Sequence, residues 1–271
     1  WYGVETISMV RDLAEYFIEN KYDRLRMFYR KKIMMPFTMN NSSKLIFISQ
    51  STYRDAKEIL CYNKNNYRII HHGKSNEFKY TCDIDCLTRY KIEKNKYFLT
   101  VGRLDPIGKN LLNSLRAFET YINHTKNLEF KYLLVGAKWR NSDKLFNHLE
   151  TYPYRENIIL TEYVTKSELI TLYSNALALI FPSLYEGFGH PILEAMSCMC
   201  PVLCSNSSSL PEISGDAALL FNPHDVNDIS VNLEKIDNEE IRNKLITKGI
   251  NNVKRFSWNK CAKETLDYII E

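Results

Sequence analysis

The chain has 271 residues, 45% of them apolar and 25% charged, which is ordinary for a globular protein and room for two compact domains. No apolar run approaches the roughly 18 residues of a membrane-spanning helix. The net charge of +4 is uneven: residues 1–96 carry 18 Lys/Arg against 11 Asp/Glu, and the remainder 18 against 21. That excess is modest and comes with no recognition motif, so nucleic-acid binding is not expected.

In chain order, Thr6–Val10, Lys44–Ser49 and Tyr67–His71 read as short strands, with helices near 22–40 and 50–62. Residues 21–35 mix Lys21, Arg24, Arg26, Arg30, Lys31 and Lys32 with Leu25, Met27, Phe28, Ile33 and Met34. Such a helix suits peripheral contact with an anionic lipid surface, or a core packing with a solvated basic face. Residues 79–95 are polar without a clear period and read as a linker. Cys82 and Cys86 have no partner pair at zinc spacing, so no metal site is expected; Cys198, Cys200 and Cys204 sit in apolar surroundings and read as small buried side chains in a reducing, cytoplasmic setting.

From residue 97 apolar runs alternate with helix-period segments. Tyr97–Gly102, Phe130–Gly136, Asn157–Thr161, Ala176–Phe181 and Pro201–Ser205 read as buried strands, and 109–122, 142–151, 166–175 and 190–199 as amphipathic helices. That alternation predicts a parallel sheet covered on both faces. Ligands of such sheets bind beyond the carboxyl ends of the strands, in the loops after Gly102, Gly136, Thr161 and Phe181. Ser257–Ile270 reads as a final amphipathic helix.

Two of those loops carry chemistry. In Tyr185–Met196, reading YEGFGHPILEAM, Gly187 and Gly189 permit a tight turn and Pro191 suits a first helical position. A helix start there offers free N–H groups to an anion. Glu186 and Glu194 are spaced to face one cleft, where a carboxylate can accept from a sugar diol. In Val101–Asn110, Arg103 and Lys109 leave a strand at the same sheet edge and match a diphosphate, the arginine through its planar fork. The alternatives are a tight turn with solvated acids and surface ion pairs. No G-x-G-x-x-G opens a helix, which argues against a dinucleotide-dependent dehydrogenase.

These stretches, with Tyr132–Gly136, Leu169–Ala176 and Ser207–Pro223, resemble the family 4 type of GT-B glycosyltransferase (glycosyl transferases group 1), mannosyltransferase-like, and Glu186 and Glu194 have the family's E-x7-E spacing. The resemblance implies an α/β fold of two Rossmann-like domains with parallel sheets: 1–93 on the acceptor side and incomplete, 94–257 for the donor, and 258–271 as a helix packing back on the first. It implies a retaining, metal-independent hexosyltransferase without a cofactor. The donor would be a nucleoside diphosphate sugar, GDP-mannose favoured over a UDP-hexose, and the acceptor a glycan or lipid-linked oligosaccharide of polysaccharide biosynthesis. Arg103 and Lys109 would hold the diphosphate beside Gly102. Glu194 would bind the ribose, and Tyr163 and Val164 would lie near the base. Glu186, Gly187, Phe188 and Gly189 would contact the transferred sugar, so Arg103, Lys109 and Glu186 are the expected catalytic residues.

Four departures stand out. Arg11 occupies the place where many relatives carry a His near the sugar. The Arg103–Lys109 interval is one residue longer than in many relatives. Met199 stands where a helix-ending Gly is usual, so a different helix end is expected. Relatives also place roughly another half-domain before the part matched by residues 1–20. A non-catalytic nucleotide-sugar-binding protein of the same fold is the alternative. A glycoside hydrolase using Glu186 and Glu194 would have no use for the two cations.

Overall fold

The computed structural model describes residues 4–19 and 21–271; residues 1–3 and 20 of the expected first unit lie outside these. The smaller of two parallel sheets contains β1 (Ile7–Val10), β2 (Lys44–Phe47) and β3 (Tyr67–Ile69) in that order, with Val10 opposite Phe47 and Phe47 opposite Ile69. Its helices are α1 (Ala14–Phe17), α2 (Arg24–Phe28), α3 (Met35–Asn41) and α4 (Gln50–Ile59). Ser49 caps α4 by accepting from the Thr52 N–H at 3.1 Å.

The helix expected near 22–40 is continuous but changes pitch. A π-helical turn, Tyr29–Met34, joins α2 to α3, and the Met35 N–H donates to the Arg30 carbonyl five residues back. Pro36 explains it: without an N–H and with its ring against the preceding turn, it cannot continue an ordinary α ladder. Leu25, Phe28, Ile33 and Phe37 on this segment are all at least half exposed.

Residues 79–95 are not the featureless linker expected. They contain α5 (Asp85–Tyr90), whose Cys86 and Leu87 are buried in the main core. At six residues it is too short to show a period and is held by packing rather than propensity.

The larger sheet contains β4 (Tyr97–Val101), β5 (Lys131–Val135), β6 (Ile158–Thr161), β7 (Ala178–Phe181), β8 (Val202–Ser205) and β9 (Ala218–Phe221), ordered β6-β5-β4-β7-β8-β9. This is a doubly wound sheet, and its winding reverses between β4 and β7. Alternate residues of the central strands face opposite cores. Leu99, Leu133 and Leu179 point to one, and Phe98, Tyr132 and Ile180 to the other. β9 was not expected as a strand. It is an edge strand with three partly exposed residues out of four, so it lacks the continuous burial that marked the others.

The covering helices are α6 (Leu111–Thr125), α7 (Asp143–Glu150), α8 (Lys166–Asn175), α9 (His190–Ser197), α10 (Leu210–Ser214), α11 (Val226–Lys235) and α12 (Glu239–Asn252). Thr165 and Glu168 form a reciprocal capping box on α8. The end of α9 differs from expectation. Met199 does adopt the left-handed conformation, at φ +60°. The Cys200 N–H donates to the Ala195 carbonyl at 2.9 Å and the Met199 N–H to the Met196 carbonyl at 3.2 Å. These are the two bonds of a Schellman ending, and they offset the strain of the side chain.

The last helix, α13 (Trp258–Ile270), returns to the small sheet. Its Cys261 and Tyr268 cluster with Ile46 and Ile70, and Lys44 Nζ donates to the Tyr268 and Ile269 carbonyls at 3.0 and 3.2 Å.

Candidate functional site

The site grows from the reversal between β4 and β7. Beyond β4 the chain passes through Gly102 at φ +149°, and beyond β5 through Gly136 at φ +151°. A Cβ at Gly136 would lie 1.8 Å from the Gly102 carbonyl oxygen, so only glycine lets the two loops leave the sheet in contact. Asp105 Oδ1 accepts from the N–H groups of Ile107 and Gly108 at 3.1 and 3.0 Å, closing a turn. The turn brings Lys109 back over the sheet end, where Nζ lies 4.9 Å from the Phe181 ring centre and ion-pairs with Glu186. Arg103 lies with its guanidinium 4.1 Å from the Trp139 ring centre, a cation–π contact supplied by the loop after β5.

The turn after β7 is braced from within the same domain. The Glu186 N–H donates to Ser208 Oγ at 2.9 Å, and Ser209 Oγ donates to the carbonyls of Glu186 and Phe188 at 2.9 and 3.1 Å. Gly189, at φ +105°, caps α9, and Pro191 sits in its first turn. Ser208 and Ser209 fell within a stretch matched by motif but were given no role by sequence.

The small sheet closes on this turn. A Cβ at Gly187 would lie 1.8 Å from the carbonyl oxygen of Arg11, the first residue past β1. Tyr185 donates its hydroxyl to Asp55 Oδ2 at 2.6 Å and stacks on Phe17 with ring centres 4.4 Å apart. Glu212 of α10 accepts from the Gln50 and Ser51 N–H groups at the start of α4, at 2.8 and 3.1 Å, and lies 2.6 Å from His71 Nε2. Burial opposes the Glu212 charge, but these hydrogen bonds outweigh it and hold the carboxyl below its usual range.

Two cavities open where the sheets meet, and both include Asp12, Glu186 and Pro191 in their walls. The first, about 390 Å³, contains Gly102, Arg103, Lys109 and Trp139, with Lys21 across from them. Lys21 pairs with Asp12 at 3.3 Å and Lys109 with Glu186, whereas Arg103 has no carboxylate partner among the described residues. Three cations and the positive end of α9 therefore border one cavity, an arrangement suited to a polyanion. The second, about 450 Å³, lies on the small-sheet side and includes Arg11, Arg30, His72, Gly187, Phe188, Gly189 and His190. His72 Nδ1 and His190 Nε2 are 3.2 Å apart. Burial, then His190, Arg11 and His71, push the His72 imidazole down to about 4, and burial and Arg11 lower His190.

The structure therefore brings Gly102, Arg103, Lys109, Glu186, Gly187, Phe188 and Gly189 together. It sets other expected residues apart. The Phe188 ring is buried, which leaves its backbone for a ligand. Glu194 lines neither cavity: Oε2 accepts from the Tyr173 hydroxyl at 3.1 Å, and burial pushes its carboxyl above the usual range. Of the two residues expected near a base, Val164 has its side chain buried in the core, while Tyr163 beside it is 89% exposed. Both follow β6, at the sheet edge two strands from β4. Sequence reasoning gave no site role to Trp139, Lys21, Asp55 or Glu212: Lys21 was read only as part of the basic segment 21–35 and Glu212 only as part of the stretch Ser207–Pro223.

The sequence model of the family described as glycosyl transferases group 1 matches residues 88–252. The chain belongs to this family. It is 36% identical over 182 residues to the O-antigen chain mannosyltransferase B of Escherichia coli, covering 67% of this chain and 47% of that protein. It is 28% identical to the serotype-specific mannosyltransferase WbdA of Escherichia coli, covering 97% of this chain and 33% of that protein. The chain thus spans half or less of the length of these relatives. Among solved structures, HepE of Anabaena, in complex with UDP and glucose, has a TM-score of 0.82 at 14% identity, covering 98% of this chain and 72% of that one. A glycosyltransferase from Rickettsia africae has a TM-score of 0.76 at 17% identity, covering 97% and 69%. Likeness at that identity bears on the fold, which is of the GT-B type.

Proposed function

We propose that this group 1 chain carries the donor site of a retaining hexosyltransferase. It would move mannose, from GDP-mannose in preference to a UDP-hexose, to a hydroxyl of a glycan or lipid-linked oligosaccharide. The observation that carries this reading is the meeting of Arg103, Lys109 and the start of α9 at one cavity where the sheet winding reverses. The mannosyltransferases among the relatives support the sugar.

In this reading Arg103 and Lys109 hold the diphosphate and neutralise the charge that grows as the anomeric carbon–oxygen bond breaks. The acceptor oxygen bonds to that carbon on the same face, and its proton passes to the departing phosphate. Glu186, already paired with Lys109, takes hydroxyls of the transferred sugar. Positioning and fixed charges supply the rate enhancement.

A thermal-shift series with GDP, GDP-mannose, UDP and UDP-glucose tests the donor: a ligand at 100 times its Kd adds about 2.7 kcal/mol of stability. In the full-length protein, Arg103→Ala is expected to lower the transfer rate by about 10²–10³. A near-wild-type rate in that variant rejects the diphosphate assignment. A nucleotide shift without turnover in the unaltered protein favours the non-catalytic alternative.

A further inference from the structure

The sequence leaves residues 21–35 open to two readings, a lipid-facing surface or a core packing with a solvated basic face. The structure puts large apolar side chains on the outside. Leu25 is 83% exposed, and Phe28, Tyr29, Ile33 and Phe37 are all at least half exposed. Leu25, Tyr29, Ile33 and Phe37 recur every four residues. In a plain α-helix that spacing drifts around the axis by about one residue over three steps. The π turn Tyr29–Met34 takes up about one residue, which keeps the four side chains on one outer ridge. The inner side is already occupied. Met35 and Met39 are buried, Arg30 pairs with the buried Glu15 at 3.1 Å, and the Tyr16 hydroxyl donates to the Lys31 carbonyl at 2.7 Å.

Cations flank this ridge without charges to match them. Arg24, Arg26 and Lys32 are exposed and make no ion pair among the described residues. No Asp or Glu occurs between residues 24 and 54. Asp23 is already engaged: it caps α2 by accepting from the Arg26 N–H at 2.9 Å and pairs with Arg140 at 3.6 Å. A protein surface laid over the ridge would bury these cations unless it supplied carboxylates to them. Anionic headgroups above an acyl region meet the cations and the apolar ridge in one contact.

We propose that the outer face of residues 24–37 docks this protein on an anionic lipid bilayer. Leu25, Phe28, Tyr29, Ile33 and Phe37 enter the interface, and Arg24, Arg26 and Lys32 meet headgroup phosphates. The inner face of the same segment, through Arg30, Met34, Met35 and Thr38, lines the second cavity. Docking therefore holds that cavity about one helix diameter, roughly 10 Å, from the membrane surface. The proposal does not depend on the donor reading.

The test is co-sedimentation of the full-length protein with vesicles of phosphatidylcholine alone and of phosphatidylcholine with phosphatidylglycerol. Binding is expected to the anionic vesicles only, and to weaken as salt is added. Arg24→Gln with Lys32→Gln should lower partitioning by about tenfold or more, and Leu25→Gln with Ile33→Gln likewise. Circular dichroism checks that both variants fold. No binding, equal binding to both vesicles, or wild-type partitioning in either folded variant overturns the proposal. A dimer in analytical ultracentrifugation that Leu25→Gln with Ile33→Gln dissociates, without vesicle binding, overturns it in favour of a second copy of the chain. The thermal-shift series with nucleotides is unaffected by either result, so the docking surface and the donor site fail separately.

Discussion

Met199 holds a left-handed backbone that an unbranched side chain tolerates at roughly 1–2 kcal/mol, and it does so because two hydrogen bonds close the end of α9 around it. Its side chain is partly exposed, so truncation removes little packing. Met199→Gly is therefore expected to stabilise the chain by about 1 kcal/mol, net of glycine's extra unfolded entropy. For a chain of this size that raises Tm by about 2–4 °C in calorimetry. An unchanged or lower Tm would mean that the ending is not strained. Gly187 is the converse case: its φ is unexceptional, and glycine is required by the Arg11 carbonyl from another part of the chain. The sequence marked both positions, but the reason for Gly187 could be seen only with the small sheet in place.

Among the elements, the joint between α10 and α4 depends on one side chain. Glu212 receives two N–H groups from the start of α4 and contacts His71, so its carboxylate also meets the positive end of that helix. Glu212→Ala leaves these donors unmatched, at about 1.5–3 kcal/mol. The expected result is a lower urea midpoint together with a larger radius of gyration in X-ray scattering, as the two sheets separate. An unchanged midpoint and radius would show that the joint is held by other contacts. The long elements were legible to within a few residues because their apolar period is sustained. The misses have local causes: α5 is shorter than two turns, β9 lies at an edge with mixed burial, and Pro36 turns one stretch of an expected helix into a π turn.

Across the whole molecule, Tyr185–Asp55, Glu212–His71 and His72–His190 tie the larger domain to the smaller, and the last two lose stability as pH falls. His72 is held neutral, with its pKa down to about 4 from an ordinary 6.5. As pH falls the unfolded chain takes up that proton first, so the stabilising contribution is complete above about 6.5 and is lost progressively between 6.5 and 4. Glu212, held low, adds a loss at still lower pH. Urea unfolding at pH 7.5, 6 and 5 should show stability falling with pH, and His72→Asn should flatten the slope between 6.5 and 5. A wild-type protein as stable at pH 5 as at 7.5 would contradict this account.

The sequence by itself determined the parallel α/β architecture, the sheet edge at which the loops converge, and the residues Arg103, Lys109 and Glu186 found there. Apolar period, glycine and proline are local signals, and a doubly wound sheet turns them into a position. Only the tertiary structure decided the partners: Trp139 beneath Arg103, Ser208 and Ser209 behind the turn, Asp55 and Glu212 across the domain joint, and Glu194 turned to Tyr173. These pairs are 21 to 162 residues apart in the chain. Their contacts are set by how helices and sheets pack, and packing leaves no periodic trace in the sequence around either partner.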